Sequence, residues 1–95
     1  MDVEIQAAPV KINDEIVLAV MDIHNHEFSE NMPERHRPTR ELSVVTIAET
    51  GYYNVWYLSM HDGKWSENAA HYSHAHSYEK ALIQSAYQAT EYTEH

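Results

Sequence analysis

Three apolar runs of strand length precede one amphipathic helical pattern, and this order constrains the fold more than any other feature of the chain. The runs span residues 15–23, 42–48 and 53–60, and each is rich in β-branched or aromatic side chains. Strands that come before a single helix are typical of small α+β domains. We therefore predict a small antiparallel β-sheet of about four to five strands, with two hairpins and one C-terminal α-helix packed on one face.

Pairs of turn-forming residues predict where two hairpins reverse direction. Asn13-Asp14 separates residues 10–12 from the first apolar run, and both turn residues tolerate a positive φ angle. Asp62-Gly63 follows the third run and is the strongest short-range hairpin signal in the chain. It predicts a short final strand at residues 64–66.

Two segments near the N-terminus carry further strand predictions. Residues 15–23 are almost uninterrupted apolar residues, so we expect them to form the central strand of the sheet, buried on both faces. Residues 3–7 alternate between apolar and polar side chains, which indicates a half-buried strand. Pro9 ends this strand or confines it to an edge of the sheet.

The last part of the chain carries the helix, which we predict at residues 77–91 with Ser77 as its cap. Residues 24–39 are polar and aperiodic and predict a long loop, and residues 67–76 are polar, histidine-rich and also predicted as loop. We expect residues 1–95 to form a single domain, because 95 residues are too few for two cores. The predicted apolar stripe of the helix consists of Tyr78, Ala81, Leu82, Ser85, Ala86 and Ala89, broadened by Ile83 and Tyr87.

Composition excludes several classes of function. The chain has no cysteine, which rules out disulfide frameworks, thiolate zinc sites and a cysteine nucleophile. Fifteen acidic residues against six lysines and arginines give a formal net charge of -9, which argues against direct binding to nucleic-acid phosphates. Phosphate-binding glycine loops, nucleophile elbows and zinc-protease motifs do not occur, so we predict that the protein is not an enzyme. With no signal-peptide pattern and no apolar run of about 20 residues, we expect a cytoplasmic location without membrane contact.

The arginines of the chain are confined to residues 33–40, as Arg35, Arg37 and Arg40. One interpretation pairs them with nearby carboxylates. The other makes this stretch a loop that contacts a partner, because arginine favours bidentate contacts with carboxylate or phosphate groups.

Eight histidines are an excess for a chain of this length, and two groups are candidate zinc ligands. His24 and His26 alternate with Asp22, which would direct the three side chains to one face if the strand continued that far. The second group, just before the helix, consists of His71, His74 and His76. The alternative is that these are solvated loop histidines. We expect no cofactor, with a zinc-binding module as the alternative.

Aromatic side chains concentrate on the predicted hairpin around the third apolar run, which indicates an interface. Tyrosine and tryptophan dominate interface hot spots, because they bury a large area with few rotatable bonds. The hairpin aromatics are Tyr52, Tyr53, Trp56, Tyr57 and Trp65.

These features together predict a small acidic protein that binds a basic protein partner. We expect the contacts from the hairpin aromatics and from Glu27, Glu30, Arg35 and Arg37. A stronger form of the hypothesis is an inhibitor that mimics nucleic acid, as small acidic phage and mobile-element proteins do when they block host defence in the host cytoplasm. The alternatives are a histidine-based metal-binding module and a self-associating structural subunit, such as a homodimer.

Overall fold

The computed structural model describes residues 6–24 and 26–91, and in this part of the chain six strands precede one α-helix. All strand pairs are antiparallel, in the order β1-β2-β3-β4, and the second edge of β4 is shared by β5 and β6. The predicted α+β fold is confirmed. The elements are β1 (Lys11–Ile12), β2 (Glu15–Asp22), β3 (Arg40–Ile47), β4 (Tyr53–His61), β5 (Lys64–Trp65), β6 (Ala70–Ala75) and α1 (Tyr78–Glu91).

The centre of the sheet is β3, and the prediction that residues 15–23 form a central strand buried on both faces is wrong. Residues 41–46 of β3 are all buried, whereas Ile16, Leu18 and Val20 of β2 are 39–55% exposed. The reason is the position of β2 near the edge of the sheet: among the described residues, only the two-residue strand β1 pairs with its outer side. An apolar run shows that a strand can be buried, but its neighbours decide whether it is.

Strand β3 is buried because both of its faces are covered. On one face, Leu42 and Val44 pack with Trp56 and other apolar side chains of the curled sheet. On the other face, Val45 packs with Val55 and with Ala81 of α1. The core therefore lies on both sides of β3 and β4 and not in a single layer under the helix.

A buried polar contact fixes the helix on the sheet. Ser43 Oγ donates a hydrogen bond to Gln88 Oε1 at 2.6 Å and lies 2.7 Å from Ser85 Oγ. Ser77 caps the helix as predicted, accepting a hydrogen bond from the backbone amide of Lys80 at 3.2 Å. The predicted broadening of the apolar stripe is wrong, because Ile83 and Tyr87 point to solvent while Gln88 is buried.

Both predicted two-residue turns are confirmed by backbone angles. Asn13 and Asp14 have φ values of 49° and 64°, and Asp62 and Gly63 have values of 53° and 78°. Two consecutive residues in the left-handed region are what a type I′ hairpin requires, and Asn, Asp and Gly adopt that region at the lowest cost.

Strand β6 lies within residues 67–76, which were predicted as loop. Its polar side chains suit an edge strand with one solvated side, and such a strand shows little hydrophobic alternation. The loop between β2 and β3 contains one turn of 3₁₀-helix at Glu34–His36. Of the predicted strand at residues 3–7, residues 3–5 lie outside the described residues, and Gln6 and Ala7 are not in a strand. Among the described residues, no helix is long and apolar enough to span a membrane.

Candidate partner-binding surface

The long loop at residues 23–39, here called the anchored loop, is held on the sheet by a buried carboxylate. Glu41 of β3 accepts hydrogen bonds at Oε2 from the Tyr57 hydroxyl and from Nδ1 of His26, the latter at 2.6 Å. The side chains of Glu41 and His26 are only 6–7% exposed. A buried carboxylate that accepts two hydrogen bonds is a strong positional constraint, because losing either partner removes a hydrogen bond from a buried acceptor.

Further contacts hold both limbs of the anchored loop. The backbone amide of Ile23 donates to the Glu41 carbonyl at 3.0 Å, and the rings of His26 and Phe28 lie 4.1 Å apart. From the returning limb, the Arg37 guanidinium lies over the Phe28 ring at 5.7 Å and donates to a loop carbonyl at 3.4 Å. The outgoing and returning parts of the loop therefore pack against each other through Phe28, and the outgoing part is also hydrogen-bonded to β3.

The anchored loop presents charged side chains to solvent. Glu27, Glu30, Glu34 and Arg35 are all exposed, and within the described part of the chain none of them forms an ion pair. Arg37 is half-buried by its contact with Phe28. The exposed charge of this loop is therefore three carboxylates against one guanidinium.

Of the three arginines, only Arg40 pairs with a carboxylate in the described residues. Its Nε and Nη2 atoms donate to the two carboxylate oxygens of Asp22, at 2.7 and 3.3 Å. The guanidinium lowers the pKa of Asp22, chiefly through this hydrogen bond. The interpretation of the arginines as internal ion-pair partners therefore holds for Arg40 alone.

The lowered pKa of Asp22 predicts a small pH dependence of stability. At pH values near and below the ordinary carboxyl pKa of 3.8, the native state binds fewer protons than the unfolded state, so the pair stabilises the protein at neutral pH and loses its effect as the pH falls. Because both side chains are partly exposed, we expect Asp22→Asn to cost no more than about 1 kcal/mol at pH 7 and less at about pH 3, below the ordinary pKa of the carboxyl group. Urea unfolding of both proteins at the two pH values measures this. An equal difference at both would contradict it, and Glu27→Gln is the control.

One of the hairpin aromatics is buried, and a second, half-buried one reaches a buried carboxylate. Trp56 is 8% exposed, and its Nε1 donates to Thr46 Oγ1 at 2.8 Å. Tyr57 places its hydroxyl on the buried Glu41. Trp56 cannot serve as the interface residue that its position in the sequence suggested, because the register of β4 directs it into the core with Leu42 and Val44.

The other hairpin aromatics are half-buried and separated from one another. Tyr53 packs on Tyr78 at the start of α1, with ring centroids 5.7 Å apart. Trp65 donates from Nε1 to the carbonyl of Ala7 at 3.0 Å and lies under the guanidinium of Arg40. The ring centroids of Tyr52 and His74 lie 6.2 Å apart. The hairpin therefore does not present one continuous aromatic surface.

The first predicted histidine group is not brought together. Strand β2 ends at Asp22, and His24 beyond it is exposed, while His26 turns inward to Glu41. The condition under which Asp22, His24 and His26 would share one face is not met, because β2 ends at Asp22.

The second histidine group lies on and just after β6, around a pocket of about 300 Å³ next to Tyr52 and Asn54. The ring centroids of His71 and His74, and those of His74 and His76, are each 6.3 Å apart. Within the described residues, no three histidine, aspartate or glutamate side chains converge in a way that would hold a metal ion. The assignment of these histidines as metal ligands therefore stays a prediction.

His71 instead belongs to a polar network that sequence reasoning missed. Its Nε2 lies 3.0 Å from Asn54 Oδ1, and Asn54 Nδ2 donates to both carboxylate oxygens of Glu15, at 2.9 and 3.1 Å. Thr46 donates to Glu15 Oε1 at 2.6 Å. The only signal for this network is a polar side chain within an apolar strand, as at positions 46 and 54, and that signal does not identify the partner.

Comparison of the chain with models of protein families, with curated proteins and with solved structures finds no match in any of the three.

Proposed function

We propose that this protein is a small non-enzymatic binding protein that presents the carboxylates of its anchored loop to a basic protein partner. The observation that carries the proposal is the attachment of this loop to buried Glu41 through His26. Ordering a side chain at an interface costs about 0.5–1.5 kcal/mol, and a loop that is already held reduces this cost. Exposed charges would keep the protein soluble on any loop, whether or not the loop is attached to the core. Their position on a loop that the core holds in place therefore favours a role in recognition.

The charge of the rest of the surface supports the same partner chemistry. Eight exposed carboxylates make no ion pair with any other described residue, so their charge is available to a ligand. A surface with an excess of negative charge accelerates association with a basic protein and disfavours association with an acidic protein. These residues are Asp14, Glu27, Glu30, Glu34, Glu49, Asp62, Glu67 and Glu79.

Apolar contact in the proposed interface comes from the anchored loop itself. Phe28 and Met32 are both half-buried and lie among Glu27, Glu30 and Glu34 in the sequence. They replace the hairpin aromatics, of which Trp56 is inaccessible. In its stronger form, the proposal makes the partner a nucleic-acid-binding protein whose phosphate site receives these carboxylates.

A charge-reversal pair of variants tests the proposal. In the first variant, Glu27, Glu30 and Glu34 are replaced by lysine; in the matched control, the exposed Glu49, Glu67 and Glu79 are replaced instead, so the net charge is identical. We expect a basic protein to be retained from a lysate of the source cells by the wild type and the control. The loop variant should bind the purified partner at least about 10-fold more weakly, as loss of a charged hot spot does.

Two outcomes would overturn the proposal. The first is an equal loss of partner affinity in both variants, which would show that binding depends only on net charge. The second is that the wild type retains no basic protein from the lysate. Salt should weaken the complex steeply if carboxylates carry it. Displacement of the partner by DNA or RNA would support the nucleic-acid-mimic form, and partner binding unaffected by nucleic acid would exclude that form.

A further inference from the structure

An uncharged groove of about 450 Å³ runs between β6 and α1. Tyr72, Ile83 and Tyr87 are 38%, 63% and 61% exposed along it, and large apolar side chains that are exposed together mark interaction surfaces. Ser73 Oγ donates to Gln84 Oε1 at 2.7 Å and joins the two elements at this position. Burial raises the pKa of Tyr72, so its phenol is neutral at physiological pH.

The groove lies beside an open edge of the sheet. Strand β6 pairs with β4 along one edge, and within the described residues no strand pairs with its other edge. The pairing with β4 is irregular at Tyr72, where Ser73 opposes Val55 and His71 opposes Trp56. An unpaired strand edge next to exposed apolar side chains is a surface that another strand can extend.

We propose that this surface, formed by the open edge of β6 and the flank of α1 at Ile83 and Tyr87, binds a second copy of the same chain. Two-fold symmetry would place β6 against β6 of the other copy and bring the two helix flanks together. The contact is independent of the anchored loop, so it does not rest on the proposed function.

Charge favours a second copy over a basic partner at this surface. The side chains that line the groove are Tyr72, Ser73, Ile83, Gln84 and Tyr87, none of which is charged at neutral pH. A basic protein gains no attraction from such a lining. Two copies with a net charge of -9 repel each other, and an uncharged contact surface is where they can meet at the lowest cost.

The shape of the surface also favours a second copy over a single peptide strand. A strand added to β6 would satisfy the backbone edge but would leave Ile83 and Tyr87 exposed above it. A second copy supplies both a strand and a helix flank, so it covers the edge and the apolar side chains together.

The size of the surface predicts a weak dimer. Strand β6 has six residues and α1 has fourteen, so each is about 20 Å long. Stable complexes bury about 800 Å² on each partner. A contact formed by one strand edge and one helix flank of this length buries a smaller area. We therefore expect a dimer that is populated at a protein concentration of about 1 mM and dissociates on dilution.

Sedimentation equilibrium of the full chain over a concentration series tests the proposal. We expect the wild type to move from monomer towards dimer, and Ile83→Lys and Tyr87→Lys, each made separately, to weaken association at least about 10-fold. Leu18→Lys, with the same change of charge on the exposed β2, is the matched control and should associate as the wild type does. All three positions are exposed, so the variants should keep the wild-type circular dichroism spectrum. A wild type that stays monomeric up to about 1 mM, or association that Leu18→Lys weakens as much as the groove variants do, would overturn the proposal.

Discussion

Replacing Glu41 by alanine is expected to lower the free energy of unfolding by about 2–5 kcal/mol, because two hydrogen-bond donors lose their buried acceptor at once. The Tyr57 hydroxyl and Nδ1 of His26 both point to this carboxylate in a site that is almost closed to water. A domain of this size is stable by only about 5–15 kcal/mol, so the loss is a large part of the total. Urea denaturation followed by tryptophan fluorescence measures it.

The same substitution should also release the anchored loop. We expect the backbone amides of residues 28–32 to exchange with deuterium much faster in Glu41→Ala, while exchange in β3 and β4 should accelerate only as far as the loss of global stability requires. Glu41→Gln keeps an acceptor at this position and should lose less. Glu30→Ala, at an exposed position on the loop, is the control and should change stability by no more than about 0.5 kcal/mol. Similar losses for Glu41→Ala and Glu30→Ala would contradict the role given to the buried carboxylate.

The second large effect is expected at Leu42, the largest fully buried side chain. Leu42→Ala should lower the free energy of unfolding by about 2–5 kcal/mol, because it removes apolar contacts with Val44, Trp56 and Leu58 and leaves a cavity among them. Leu18→Ala, in the strand whose sequence is more continuously apolar, should cost less than about 1 kcal/mol, because Leu18 is 42% exposed.

This comparison tests which strand is central. If residues 15–23 were buried on both faces, as their sequence indicates, Leu18→Ala would be as damaging as Leu42→Ala. Guanidinium or urea unfolding of the two variants measures both losses of stability, which can be compared directly if the dependence of the unfolding free energy on denaturant concentration is unchanged. Equal losses would contradict the structure.

The anchored loop connects stability to the proposed function. If Glu41→Ala folds, the loop variant and Glu41→Ala should both bind the partner weakly, for different reasons: the first lacks the carboxylates, and the second no longer holds them in place. A Glu41→Ala protein that keeps full partner affinity would show that attachment of the loop is not needed for recognition.

Features that depend on a few neighbouring residues were predictable from the sequence. The turns at Asn13-Asp14 and Asp62-Gly63 and the cap at Ser77 follow from the conformational preferences of those residues, which act over two to four positions. The loop that carries the proposed site is likewise visible in the sequence as a polar, aperiodic segment that contains Glu27 and Glu30, and its role in binding stays a prediction. What could not be predicted was that Glu41, 15 residues beyond His26, anchors it.

The sequence by itself determined the α+β class, because strand-length apolar runs must bury one or two faces and a single amphipathic helix is there to cover one of them. Tertiary structure alone decided which strand is central, which aromatics are hidden and which carboxylates remain in solvent. Leu18 and Leu42 are the same amino acid in similar strands, and Glu30 and Glu41 are equally acidic. They differ in what packs on them, and burial depends on distant parts of the chain that no local pattern describes.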